Sequence, residues 1–208
     1  GMYEFFQIML QLSQANSNPI EFLSTHPMTN DRIAEIRNRL MRYPAWKGEE
    51  RDEYLLIKTK LSIILAENPI NLLKTISDKI TKHSDQYTRY GFALALYENN
   101  QYQESLEQFQ QLLTERDETI PYIIGVARCH IALGNSANAI TSLETALKLY
   151  PADFRLIYYL AQAFIEAGKS SEALALLRRY ISHKADPEPV IYRQAAEAAA
   201  KSNQKALS

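Results

Sequence analysis

One cysteine, Cys129, is all that this 208-residue chain carries, so neither an intrachain disulfide nor a cysteine zinc cluster can form. It sits beside His130 in a helical pattern, as a packed thiol rather than a reactive one. An excess of one charge is missing too. Lys and Arg number 23 against 24 Asp and Glu, a net charge of -1, so no global field draws the chain to nucleic acid or to an anionic membrane. Basic residues are scattered among acidic ones rather than interleaved with aromatics, which argues against a nucleic-acid partner. No apolar run approaches the roughly 20 residues that span a bilayer, so no transmembrane segment is expected. No basic stretch followed by an apolar signal region is present either. None of the four histidines begins an HExxH motif, and no glycine-rich phosphate loop or Ser/His/Asp arrangement stands out. His83, His130 and His183 have no partner at ligand spacing and read as packing or surface residues. The 46% hydrophobic and 23% charged content nevertheless fits a folded chain.

What the chain does contain is an echo about 34 residues long. Ala93, Ala127, Ala161 and Ala195 share one register. Asn100, Gly134 and Gly168 share a second, Ser105, Ala139 and Ala173 a third, and Phe109, Leu143 and Leu177 a fourth. A small residue in a first helix, a turn residue, then a small residue in a second helix at this period resembles the tetratricopeptide helical hairpin. The expected fold is all-α, with tetratricopeptide-repeat hairpins in a right-handed superhelical array. Such arrays hold other chains and rarely do chemistry.

The repeat domain is expected over 46–208. Residues 52–85 form a degenerate opening hairpin broken at Asn68 and Pro69, because Thr59 and Asn71 stand where small residues belong. Repeats follow at 86–119, 120–153 and 154–187, closing near Asp117, Pro151 and Pro187. Residues 188–208 are a partial unit, whose first helix is expected over 188–201. An uncovered apolar face there, and Gly1 ahead of Met2, a residue of the kind left by tag cleavage, point to a fragment of a longer protein.

The first helix of each tetratricopeptide hairpin lines the concave side. Projecting the register places Tyr87, Tyr90, Leu94, Tyr97, Arg128, Arg155, Tyr158 and Gln162 on or near a protein-binding groove, with Tyr192 extending the row. Tyrosine rings offer apolar area and guanidinium groups can engage a carboxylate, which suits an extended peptide. Each tyrosine could equally pack between hairpins.

Residues 1–45 differ in character. Residues 3–14 have helical apolar spacing, and after Pro27 a second helix is expected from Thr29 or Asn30 to about Arg42. The segment FLSTHPMTNDR, with Ser24, Thr25, His26 and Pro27 followed by Arg32, resembles the tail of the M48 zinc metallopeptidase domain. Tetratricopeptide repeats directly downstream are similar to its periplasmic group that assists outer-membrane β-barrel assembly. The resemblance implies that residues 1–45 are the C-terminal remnant of the peptidase domain, so that helices left from it precede the array. It implies a peptidase-cleft element at Pro27 and Arg32, with His26 contacting metal in the intact parent or merely shaping its turn. Arg32 either pairs with an acidic group near the cleft or caps its helix.

It further implies a periplasmic parent that is a zinc metalloendopeptidase, holding zinc through HExxH, two imidazoles one helical turn apart with a glutamate to activate water. This chain has no such motif, so no catalytic residue and no cofactor are expected within it. The expected partners are client polypeptides or the outer-membrane protein assembly machinery. A freestanding tetratricopeptide adaptor that scaffolds a complex is the competing reading.

Overall fold

The computed structural model divides the chain into two compact units, Gly1–Glu49 and Glu50–Ser208. It describes residues 51–206 except 82, 83 and 117, and besides them only residues 34 and 38, both helical and exposed. The expected helix over 3–14 and the segment containing Ser24, Thr25, His26, Pro27 and Arg32 lie outside the described residues. So do His83 and Asp117.

The second unit is built from α1 (Asp52–Ile64), α2 (Pro69–Ser77), α3 (Gln86–Glu98), α4 (Tyr102–Glu115), α5 (Ile120–Ala132), α6 (Ser136–Leu149), α7 (Phe154–Glu166), α8 (Ser170–His183) and α9 (Pro189–Ala206). There is no strand among the described residues, and the array is all-α.

Local chemistry sets the helix ends. At the start of α2 the Asn68 side chain accepts a hydrogen bond from the Asn71 amide at 3.0 Å, and Pro69 occupies the first turn, where its missing N–H costs nothing. Asp85 caps α3 by accepting from the amides of Tyr87 and Thr88 at 2.9 and 3.0 Å. Asp153, two periods later, caps α7 through the amides of Arg155 and Leu156.

The turns inside the three full hairpins are alike. Asn100, Gly134 and Gly168 adopt φ of 62°, 77° and 73°, a left-handed conformation that glycine and asparagine tolerate best. The next residue then donates its amide back to the last turn: Gln101 to Leu96, Asn135 to His130 and Lys169 to Phe164, at 2.8 to 2.9 Å. This pattern satisfies carbonyls that the helix end would otherwise leave open.

Small residues at the repeat spacing let paired helices approach. Ala93, Ala127 and Ala161 are fully buried, as are Ser105, Ala139 and Ala173 from the second helices. Phe109, Leu143 and Leu177 fill the intervening space at 0 to 1% exposure, each contributing about 1.5 to 3 kcal/mol of burial. Ser105, the polar member of its register, donates its hydroxyl to the Ala93 carbonyl at 2.7 Å and accepts from Cys129 Sγ at 3.3 Å. Burial holds the Cys129 thiol protonated by pushing its pKa up, which keeps it inert.

Each odd-numbered helix packs on the next odd-numbered one, forming a continuous layer, and α4, α6 and α8 tie successive members of that layer together. The opening pair departs from this scheme. Both α1 and α2 pack on α3 more than on each other, and α1 sets Thr59 against Gly91, its methyl 2.9 Å from where a Cβ on that glycine would stand. At the other end α9 continues to Ala206, past the expected stop near 201. Residues 195–206 contain strong helix formers and no glycine or proline, so nothing breaks the helix there. The Ser202 and Ser171 hydroxyls also pair at 3.0 Å, tying the extension to α8.

Candidate protein-binding groove

The odd-numbered layer carries a groove of about 820 Å³, walled by α1, α3, α5 and α7 and reaching Val190 on α9. Its lining follows the 34-residue period. Leu56, Tyr90, Ile124 and Tyr158 contribute one row, and Lys60, Leu94 and Arg128 a second. Gln162 continues the second row into an adjoining recess of about 180 Å³, which it lines with Tyr97, Arg128 and Tyr158. The lining repeats because first helices of like orientation present the same positions to one side.

Five of the residues projected from the sequence line the groove (Tyr90, Leu94, Arg128, Arg155 and Tyr158), and Tyr97 and Gln162 line the recess. Their exposures differ greatly. Leu94 and Tyr90 are only 2% and 3% exposed, so they form the floor. The Tyr90 ring packs edge-on to Phe109 at 6.0 Å and tilts against Tyr122 at 5.5 Å. Burial pushes the phenols of Tyr90 and Tyr122 up to about 12. Tyr87 is not part of either lining. Its hydroxyl donates to the Asp52 carboxylate, which also accepts from Arg116, and so joins α3 to the start of α1. Tyr192 is 49% exposed on α9 and lies outside both linings.

Arg128 is held by a ring on α3 and by a carboxylate. Its guanidinium lies over the Tyr97 ring at 4.0 Å and contacts Glu98 at 3.2 Å, leaving the side chain 19% exposed. Arg155 is fixed by Asp153, with contacts of 2.6 and 3.1 Å to the two carboxylate oxygens. Burial alone would raise the Asp153 pKa, yet the hydrogen bonds and charge from Arg155 and the helix amides bring it below the ordinary value.

Sequence reasoning missed lining residues on several helices, among them Tyr122 and Ile124 on α5, Phe154 and Tyr159 on α7, and Leu56, Ile57 and Lys60 on α1, a helix from which it projected none. The signal was available, since Lys60 stands one period before Leu94 and two before Arg128. Burial lowers the Lys60 pKa first, and the charges of Arg128 and then Arg155 lower it further.

The remaining histidines offer no ligand set. His130 is half-buried, with its pKa lowered by burial and Nδ1 unpartnered, and His183 is exposed beside the Arg179 carbonyl. No group of three or more His, Cys, Asp or Glu suited to a metal ion occurs among the described residues, so these residues do not fit a zinc site. No helix of the described residues is long and apolar enough to cross a membrane.

Residues 130–198 match the family model described as tetratricopeptide repeat. The beta-barrel assembly-enhancing protease of Yersinia pestis is 26% identical over 183 residues, covering 86% of this chain and 38% of its own length. That of Escherichia coli strain K12 is 26% identical over 191 residues, covering 89% of this chain and 39% of its own. A thermophilic TPR protein of Thermus thermophilus superposes with a TM-score of 0.57 at 15% identity, covering 70% of this chain and 80% of that one. The tetratricopeptide-repeat match thus falls within the Glu50–Ser208 unit, and the chain, similar to these proteases over most of its own length, spans less than two fifths of theirs. The Yersinia match exceeds the length of the Glu50–Ser208 unit, so it extends into the segment before it.

Proposed function

We propose that this chain is the polypeptide-holding part of a periplasmic zinc metalloprotease and chaperone of the M48 type, and that its groove receives outer-membrane protein clients or their assembly machinery. The groove itself carries this reading: a channel with a tyrosine and leucine floor and fixed arginines, on an array related over most of its length to beta-barrel assembly-enhancing proteases. An extended client lying over the Tyr90 and Leu94 floor would gain apolar contact from Ile57 and Tyr158 and polar anchoring from Arg128 and Arg155. Many modest contacts spread along a surface accommodate varied sequences, which suits a binder of unfolded chains. Zinc belongs to the parent protein in this reading, held by residues outside these 208, with His26 beside the metal cleft and Pro27 and Arg32 shaping it. This chain's own role is to hold and to present.

Two measurements test the proposal. The 208-residue chain added to a urea-unfolded outer-membrane β-barrel protein should delay its aggregation on dilution, and Arg128→Ala should weaken that protection; no delay at any ratio would refute the holding role. Sequencing the native gene upstream of Met2 should reveal an HExxH motif. If none is encoded, the protease assignment fails and a freestanding adaptor takes its place.

A further inference from the structure

The cations of the groove are not equivalent. Arg128 has Glu98, Arg155 has Asp153 and Arg116 has Asp52, whereas Lys60 makes no ion pair with any described residue. Lys60 nevertheless lines the same groove and feels the positive charges of Arg128 and Arg155, with only Glu98 offsetting them in part. Lys60 is itself exposed, yet the positive charges of Arg128 and Arg155 disfavour its ammonium form, a cost that an incoming anion relieves.

The acidic residues that line the groove are placed elsewhere. Asp52 is engaged by Arg116 and Tyr87. Glu53 lies two helical turns before Lys60 on α1, about 10 Å away along the axis. Glu118 precedes α5, and so stands about 15 Å along that axis from Arg128.

We propose that Lys60, together with Arg128 and Arg155, forms a seat for one carboxylate side chain of the extended polypeptide bound in the groove. The inference rests on the groove reading above and adds to it a rule of selection: an Asp or Glu flanked by apolar or aromatic residues. The lining also includes Leu56, Tyr122, Phe154 and Val190, apolar surface for the residues that flank the carboxylate side chain in an extended chain. Arg128 is already immobilised by Tyr97 and Glu98, so little ordering is required when the anion arrives. Lys60 is the mobile member, a long side chain with three donors that can turn toward a carboxylate.

The test uses an array of immobilised 12-residue peptides of varied apolar and aromatic sequence, each made with a central Glu and again with Gln, probed with the 208-residue chain. The Glu member of bound pairs should be retained about tenfold more strongly, as for one charge-assisted hydrogen bond in a partly desolvated site. Lys60→Gln should reduce that ratio toward one, and Lys60→Arg should keep it. Equal retention of Glu and Gln peptides by the unaltered chain would overturn the carboxylate seat and leave the groove reading standing. A preference that survives Lys60→Gln would also overturn the seat as drawn here. Retention of no peptide at all would overturn both.

Discussion

The guanidinium carbon of Arg128 on α5 lies 4.0 Å from the ring centroid of Tyr97 on α3. This stack joins two successive first helices on the groove side, and Glu98 holds one guanidinium nitrogen at 3.2 Å. Arg128 therefore acts both as a fastening between hairpins and as a positive group presented to the groove.

Replacing it separates these roles. Arg128→Lys keeps the charge but loses the planar stack, and should lower unfolding free energy by about 1 kcal/mol, the scale of a partly desolvated cation–π contact. Arg128→Ala should match that loss and also weaken client binding several-fold. Urea unfolding and fluorescence anisotropy with a labelled client peptide check the two effects separately.

The α4–α5 contact leaves no room at Gly125. A Cβ there would stand 2.5 to 2.6 Å from three atoms of the Phe109 ring, and Phe109 is 1% exposed with nowhere to move. Gly125→Ala should cost about 1 to 3 kcal/mol by overpacking. Adding Phe109→Leu should recover part of that loss, so the double variant should be more stable than additivity allows.

The hairpin turns give a graded series. Gly134→Ala and Gly168→Ala place a Cβ at φ of 77° and 73° and should each lose about 1 kcal/mol, although nothing lies within 4 Å of either added carbon. Asn100→Gly should be neutral or slightly stabilising, because it relieves the same strain at φ of 62°. Equal effects from all three substitutions in thermal melts would contradict this account.

Alkaline pH probes the floor of the groove. Unfolded phenols titrate near 10, whereas those of Tyr90 and Tyr122 are raised to about 12 by burial. The folded state thus holds protons that the unfolded state has released. The stability from this difference is fully present below about pH 10 and is lost as pH rises toward about 12. Urea midpoints should fall across that window, and Tyr90→Phe should flatten the decline.

The repeat was legible because close approach of helices requires small residues at fixed spacing, and Ala93, Ala127 and Ala161 met Ser105, Ala139 and Ala173 as that rule demands. The left-handed turns could be read for a similar reason, since Asn100, Gly134 and Gly168 are the residue types that φ requires. The opening pair was harder to read. With Thr59 and Asn71 in place of small residues the register looked spent, yet Thr59 packs against Gly91 on the next helix, and Leu56 and Lys60 still supply the groove wall. Buriedness was also invisible to the projection: period alone places Tyr90 and Leu94 on the groove side, but only packing against Phe109 and Tyr122 makes them floor rather than rim. The extra length of α9 escaped because an alanine-rich stretch gives no apolar period to follow.

Site-directed photo-crosslinking to a urea-unfolded outer-membrane β-barrel protein, diluted in the presence of the 208-residue chain, tests the central claim most directly. A photoreactive residue at Ile57, which lines the groove at 57% exposure, or at Gln162 in the recess should capture the client. One at exposed Glu144 on α6 or Arg178 on α8 should not. Capture from Glu144 and Arg178, with none from Ile57 and Gln162, would contradict a groove that holds unfolded chains.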